Sequence, residues 1–188
     1  MTEKHKGLTY FSDWVQSRLP HAVQAVKEFT GLSSEFSPPK ISLKKIEEIS
    51  EYYQEEPSIC LLQSLNGGIQ GYVLFAASSE FANGLVYSMS KQISVSSCIP
   101  ESLLCQSLIN EWANIFAGNL VACMPEKGII ALTPIEQTYD MSTAALDFIA
   151  CQLGLEHQFI ALGSTSISFE NVPGNIQIWI IVSPSAIS

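Results

Sequence analysis

One predicted helix, residues 100–124, constrains the fold of this chain most, because its polar and apolar residues fall on opposite sides. Its polar stripe, spaced i, i+4, i+7 and i+11, consists of Ser107, Glu111, Asn114 and Gly118. At about 100° per residue these positions lie within an arc of about 60°. The bulky apolar residues project roughly opposite the stripe, and they are Leu108, Trp112, Ile115, Phe116 and Leu120. The pattern predicts a helix that packs on a core and exposes an acid and an amide.

The polar stripe contains residues that do little for helix stability. No Lys or Arg occurs between Lys91 and Lys127, so Glu111 has no i±4 salt bridge on its own helix. Asn114 is a mediocre helix former, and a mid-helix glycine such as Gly118 costs about 0.5–1 kcal/mol relative to alanine. These features favour a contact surface. The alternatives are a solvated face for the polar residues and a packing contact within the fold at Gly118.

Two other asparagines belong to the same predicted helix. Asn119 projects toward the apolar side, so we expect its amide to bond neighbouring backbone. Asn110 is expected to be solvated.

The remaining segments predict an α+β domain, with long helices packed on an antiparallel sheet. The expected helices are 11–30 with an interruption at Pro20, a short polar helix at 44–53, 79–91 with Ser79 as N-cap, and 141–153. The expected strands are 58–65, 69–77, 128–133, 159–163, 165–169 and 176–182. Asn66-Gly67-Gly68 is a hairpin signal between the first two strands. We treat residues 1–188 as one domain and expect residues 1–8 to be flexible.

Composition excludes several functional classes. The formal charge is −9, and Arg18 is the single arginine, which argues against nucleic acid binding because that requires clustered Lys and Arg. The chain has neither an apolar run of helix length nor an apolar N-terminal segment, so we expect no membrane association and a cytoplasmic location.

Cysteine chemistry is not indicated. The five cysteines form no C-x-x-C pair and no Cys/His grouping at metal-ligand spacing, so we expect reduced thiols and no bound metal. A cysteine-based tyrosine phosphatase needs an arginine shortly after its cysteine. Arg18 precedes every cysteine, which excludes that mechanism.

The pattern Ser107-x3-Glu111-x2-Asn114, followed by Gly118-Asn119 and later by Thr133-Pro134, resembles the signature of the CheX/CheC family of chemotaxis phosphatases. The resemblance is best over residues 67–134 and returns weakly at 164–183. A single copy of the motif is more similar to CheX than to CheC, where two copies are usual. Trp112 beside the motif and a helical insertion at 135–155 are departures from the family pattern.

The resemblance implies a CheX-like fold and a phosphatase that acts on the aspartyl phosphate of a CheY-like response regulator. It implies that Asn114 orients the attacking water and that Glu111 pairs with a lysine of the regulator, and we add Ser107 and Gly118 as binding residues. The chain would need no cofactor of its own, because the magnesium ion is expected on the regulator. It also implies a homodimer.

Two alternatives remain from other functional classes. A non-catalytic CheX-like scaffold could bind a response regulator or a flagellar-switch-type partner, and an unrelated α+β binding domain could carry the motif by coincidence. Self-association has a second argument, since the apolar strand 175–182 lacks the lysines that guard an exposed edge. That strand should be central or covered.

Overall fold

The computed structural model describes residues 3–45, 48, 59–91, 101–122, 130–132, 149, 151–152 and 159–183. Within these ranges the helices are α1 (Glu3–Thr30), α2 (Ser79–Ser90) and α3 (Glu101–Val121). The strands are β1 (Ser34–Phe36), β2 (Lys40–Lys45), β3 (Ile59–Gly67), β4 (Gly71–Ala77), β5 (Ile130–Leu132), β6 (Phe159–Phe169) and β7 (Ile176–Val182). No helix of this described part is both long and apolar enough to cross a membrane.

The strands form one antiparallel sheet in the order β1-β6-β7-β4-β3-β5, and β2 also pairs with β6. The C-terminal strand β7 is central, as expected, because it pairs with β6 on one side and β4 on the other. Its backbone groups are therefore satisfied within the chain. The edge-strand argument for self-association consequently no longer applies.

Both faces of the sheet are apolar. On one face, strand residues such as Val73, Phe75 and Ile178 join the helices in the main core. On the other face, a smaller cluster includes Leu74 and Trp179 and is covered by Ile149. This arrangement confirms the predicted α+β fold with long helices on an antiparallel sheet. Ile149 also lies in the expected helix 141–153: residues 149, 151 and 152 are helical, and the rest of that segment is outside the described residues.

Two sequence expectations about helices differ from the structure. Pro20 does not interrupt α1, because it is exposed while buried residues on both sides of it, such as Leu19 and Val23, pack in one core. Residues 3–8 lie in the first turns of α1 and Leu8 packs against the core, while the flexibility expected of residues 1–8 stays a prediction. Lys44 and Lys45, expected in a helix, belong to β2, because tertiary pairing with β6 overrides local propensity.

Local turn and cap signals in the sequence are largely confirmed. The hairpin between β3 and β4 forms at the predicted glycines, and Gly67 has a φ of 115°. Ser78, rather than Ser79, caps α2, because its Oγ accepts a 3.1 Å hydrogen bond from the backbone of Phe81. The expected strands 159–163 and 165–169 are one continuous strand, β6.

Candidate functional site

Aromatic packing fixes the rotation of α3 about its own axis. Trp112 is fully buried, meets Phe75 of β4 edge-on at 5.7 Å between ring centroids, and stacks on Phe116 at 5.8 Å. Leu108 and Ile115, which we expected to be buried, are only partly so. Because all side chains of a rigid helix rotate together, this packing directs the polar stripe away from the core.

The stripe is present as predicted, but its members differ in exposure. Ser107 and Glu111 are exposed, whereas Asn114 and Gly118 are half-buried. We expected both Glu111 and Asn114 to be exposed, so the expectation holds for Glu111 and only partly for Asn114. The angular positions explain the difference: Asn114 is the stripe residue nearest the buried face, about 20° from Val121 around the helix.

Asn114 contacts a residue that sequence reasoning did not identify. Oδ1 of Asn114 accepts a hydrogen bond of 2.9 Å from Nε2 of Gln63. Gln63 lies on β3 and is buried on the face that packs against the helices. A signal was present in the sequence, since a glutamine at an inward position between Leu61 and Leu65 breaks an otherwise apolar strand face.

Glu111 forms no ion pair with the part of the chain that the structure describes. The Arg18 guanidinium, the sole arginine side chain, is engaged elsewhere, because its Nη2 donates to the carbonyl oxygen of Ala122. That carbonyl lies just after α3, where a cation is favoured by the helix dipole. The carboxylate of Glu111 is thus available to a cation from another molecule.

Gly118 has no tight contact among the described residues. The nearest atom that an added Cβ would meet is Cδ1 of Leu132 on β5, at 4.0 Å, which is an ordinary van der Waals contact. Close packing among the described residues therefore does not require a glycine here. This observation weakens the alternative in which Gly118 serves a contact within the fold.

The other asparagines of α3 have structural roles or surroundings of their own. Nδ2 of Asn119 donates to the Ile115 carbonyl oxygen at 2.8 Å, as the sequence predicted. Asn110, expected to be solvated, is half-buried, and its Oδ1 has no hydrogen-bond partner among the described residues.

The described residues contain an acid and an amide at this site, and no activated nucleophile. No three His, Cys, Asp or Glu side chains come together as metal ligands in the ranges the structure describes. Cys60 is buried on the opposite face of the sheet from α3, and burial raises its pKa to about 12, which leaves an unreactive thiol. A carboxylate can bind a cation, and a carboxamide can orient a water molecule. The chemistry that the stripe can support is therefore positioning.

Comparison with known proteins identifies the fold. No family model matches the sequence, and no curated protein matches it. Among solved structures, the CheX–CheY–BeF3–Mg2+ complex from Borrelia burgdorferi matches with a TM-score of 0.62 and 14% identity, covering 90% of this chain and 97% of that one.

FliY and FliM structures are similar to a comparable degree. FliY from Thermotoga maritima matches with a TM-score of 0.66 and 11% identity, covering 96% of this chain and 91% of that one. The FliG–FliM complex from H. pylori matches with a TM-score of 0.70 and 11% identity, covering 96% and 97%. The chain therefore has the fold shared by the CheX, FliY and FliM structures.

Proposed function

We propose that this chain is a CheX-like phosphatase that hydrolyses the aspartyl phosphate of a CheY-like response regulator. The observation that carries the proposal is that Glu111 is exposed and Asn114 is half-buried one turn away on α3. The helix α3 that carries these two residues belongs to a fold that this chain shares with a CheX structure solved with CheY. The combination of fold and site is more specific than either one alone.

Each residue has a separate role in the proposed reaction. Asn114 enters the active site of the regulator and orients the water molecule that attacks phosphorus. Glu111 pairs with a lysine of the regulator and fixes the approach of the two proteins. This charge-assisted contact is possible because Glu111 forms no ion pair within the described residues. Ser107 and Gly118 border these residues and contact the regulator backbone. Phosphoryl transfer depends largely on positioning, so no nucleophile is needed on this chain.

The proposed assembly has two further components. The magnesium ion required for the chemistry belongs to the regulator, and this chain supplies no ligand to it. We also propose a homodimer, which now rests on the family resemblance alone because β7 is central in the sheet. Light scattering at micromolar concentration tests the dimer independently of the activity.

A non-catalytic scaffold is the second candidate function. Two observations favour it: the fold is as similar to FliY and FliM as to CheX, and Asn114 is half-buried and already bonded to Gln63. A scaffold of this kind would bind a response regulator or a flagellar-switch-type partner through the same face of α3 without accelerating hydrolysis.

One experiment separates the two candidates. The CheY-like regulators encoded in the same genome are purified, phosphorylated with acetyl phosphate and mixed with this chain, and both binding and phosphate loss are measured. The phosphatase function predicts a regulator that binds and loses its phosphate faster. Binding through α3 without any change in phosphate lifetime supports the scaffold, and neither binding nor acceleration contradicts both candidates.

A further inference from the structure

Gln63 is a polar side chain within an apolar layer. It lies on β3 between Leu61 and Leu65, which belong to the main core, and only 2% of its surface is exposed. Burial of an amide is unfavourable unless the amide forms hydrogen bonds. One such bond is the 2.9 Å contact from its Nε2 group to Oδ1 of Asn114.

This hydrogen bond determines which atom Asn114 presents to a partner. An amide nitrogen only donates, so Nε2 of Gln63 selects the oxygen of Asn114. The oxygen and nitrogen of a carboxamide diverge from the carbon atom that joins them, so an Asn114 amide that turns Oδ1 toward Gln63 leaves Nδ2 for another partner. Gln63 is buried and Asn114 is half-buried, so an amide held in this way leaves Nδ2 as the group for a partner that approaches from solvent.

We propose that Gln63 is a positioning residue, which holds the Asn114 amide so that Nδ2 donates a hydrogen bond to the attacking water. This inference rests on the proposed phosphatase function. In this proposal Asn114 is a hydrogen-bond donor, and the residue that orients it, Gln63, lies on β3 and not on the motif helix.

Water and the aspartyl phosphate are the only reactants in the proposed hydrolysis. One lone pair of the water oxygen accepts the hydrogen bond from Nδ2, and the other forms the new bond to phosphorus. The bond between phosphorus and the aspartyl oxygen breaks, and its electron pair leaves on the carboxylate. Both water hydrogens pass to inorganic phosphate, which releases one to solvent.

The hydrogen bond from Gln63 restricts the terminal side-chain torsion of Asn114. This torsion is broad in asparagine, so an unsupported amide samples many orientations and presents either its oxygen or its nitrogen. Misplacement of a positioning group by about 1 Å can lower a rate by about 10²-fold. An interaction that fixes the amide should therefore affect turnover much more than binding.

The hydrogen bond itself can be tested in the free protein. In labelled wild-type protein, NMR should detect a coupling across the hydrogen bond from ¹⁵Nε2 of Gln63 to ¹³Cγ of Asn114. Absence of this coupling, or slow-exchanging protons on Nδ2 of Asn114 instead of on Nε2 of Gln63, would overturn the proposal. This result does not depend on any enzymatic activity.

The kinetic test uses Gln63→Met, which keeps the length of the side chain but cannot donate. We expect kcat for the phosphorylated regulator to fall on the order of 10-fold, while KM changes by less than about twofold. The matched control is Thr165→Val on β6, which removes a hydrogen bond of another buried polar residue, from Oγ1 to the Ser37 carbonyl oxygen at 2.7 Å. The control should leave both kinetic constants unchanged.

The outcomes separate this inference from the proposed function. If the wild-type protein is active and Gln63→Met retains its kcat, the positioning role is wrong and the phosphatase function stands. If the wild-type protein binds its regulator but shows no activity, the proposed function fails first and the catalytic role of Gln63 fails with it. If Gln63→Met does not fold, the NMR coupling decides the geometry on which the proposal depends.

Discussion

The ring of Trp112 meets the ring of Phe75 almost at a right angle, with 80° between their planes and 5.7 Å between their centroids. This contact joins the motif helix α3 to β4 in the centre of the sheet. It explains why a bulky residue lies next to the motif, because Trp112 is a core anchor and does not contribute to the exposed face. The position of the site consequently depends on core packing.

Replacement of this anchor should destabilise the fold strongly. We expect Trp112→Ala to lower the free energy of unfolding by about 3–5 kcal/mol, because it removes a large buried side chain and leaves a cavity. Trp112→Phe should cost less, since the indole Nε1 is buried without a hydrogen-bond partner among the described residues. Urea denaturation of the two variants checks the order, and equal losses would contradict the account.

The general architecture could be predicted from the sequence because the local signals agree with the tertiary structure. The period of α3, the glycine hairpin after β3 and the apolar β7 all appear as expected. Pairing and packing between distant segments of the chain could not be predicted in this way. Lys44 and Lys45, expected at the start of a helix, lie in β2 because β6 offers backbone groups for pairing, and α1 continues through Pro20 because both of its halves share one core.

Charge removal at Glu111 should weaken association with the regulator. We expect Glu111→Ala to raise Kd by about 10-fold and Glu111→Lys to raise it further through like-charge repulsion, with a smaller effect on the rate within the complex. Isothermal titration with the phosphorylated regulator, at two salt concentrations, measures this. Glu35→Ala is the matched control, because Glu35 is exposed on β1 at the opposite end of the sheet from β5. Equal effects at the two positions would indicate a non-specific charge effect and contradict the site.

Two substitutions at Gly118 should show separately how this residue affects stability and how it affects binding of the regulator. We expect Gly118→Ala to raise the free energy of unfolding by about 0.5–1 kcal/mol, because alanine favours the helix and, among the described residues, the added methyl group would meet only Leu132 at 4.0 Å. Gly118→Leu should fold but bind the regulator more weakly. Thermal unfolding and titration check the pair, and a Gly118→Leu variant that binds normally would remove Gly118 from the interface.

The buried thiol of Cys60 should be inert in the folded protein. Burial raises its pKa to about 12, above the ordinary value of 9.0, so the folded state keeps the proton that the unfolded state loses. Its contribution to stability is therefore complete below pH 9.0 and declines as the pH rises toward 12. Iodoacetamide mapping at pH 8 should modify the exposed Cys151 much faster than Cys60. Comparable rates in the native protein would contradict this burial.

The geometry of the candidate site could be predicted only in part. The helical period correctly places Ser107, Glu111, Asn114 and Gly118 along one stripe. It cannot report that Asn114 bonds a residue 51 positions earlier in the chain, because that contact depends on how α3 packs on β3. The half-burial of Asn114 follows from the same packing.

The phosphate lifetime of the cognate regulator, measured with wild-type protein and with Asn114→Ala, tests the phosphatase function. The wild-type protein should shorten that lifetime, and the variant should lower the rate on the order of 10²-fold while still binding, because the lost amide acts chiefly in the transition state. A wild-type protein that binds the regulator without changing its phosphate lifetime would contradict the phosphatase function. An Asn114→Ala variant with full activity would contradict the assignment of this residue.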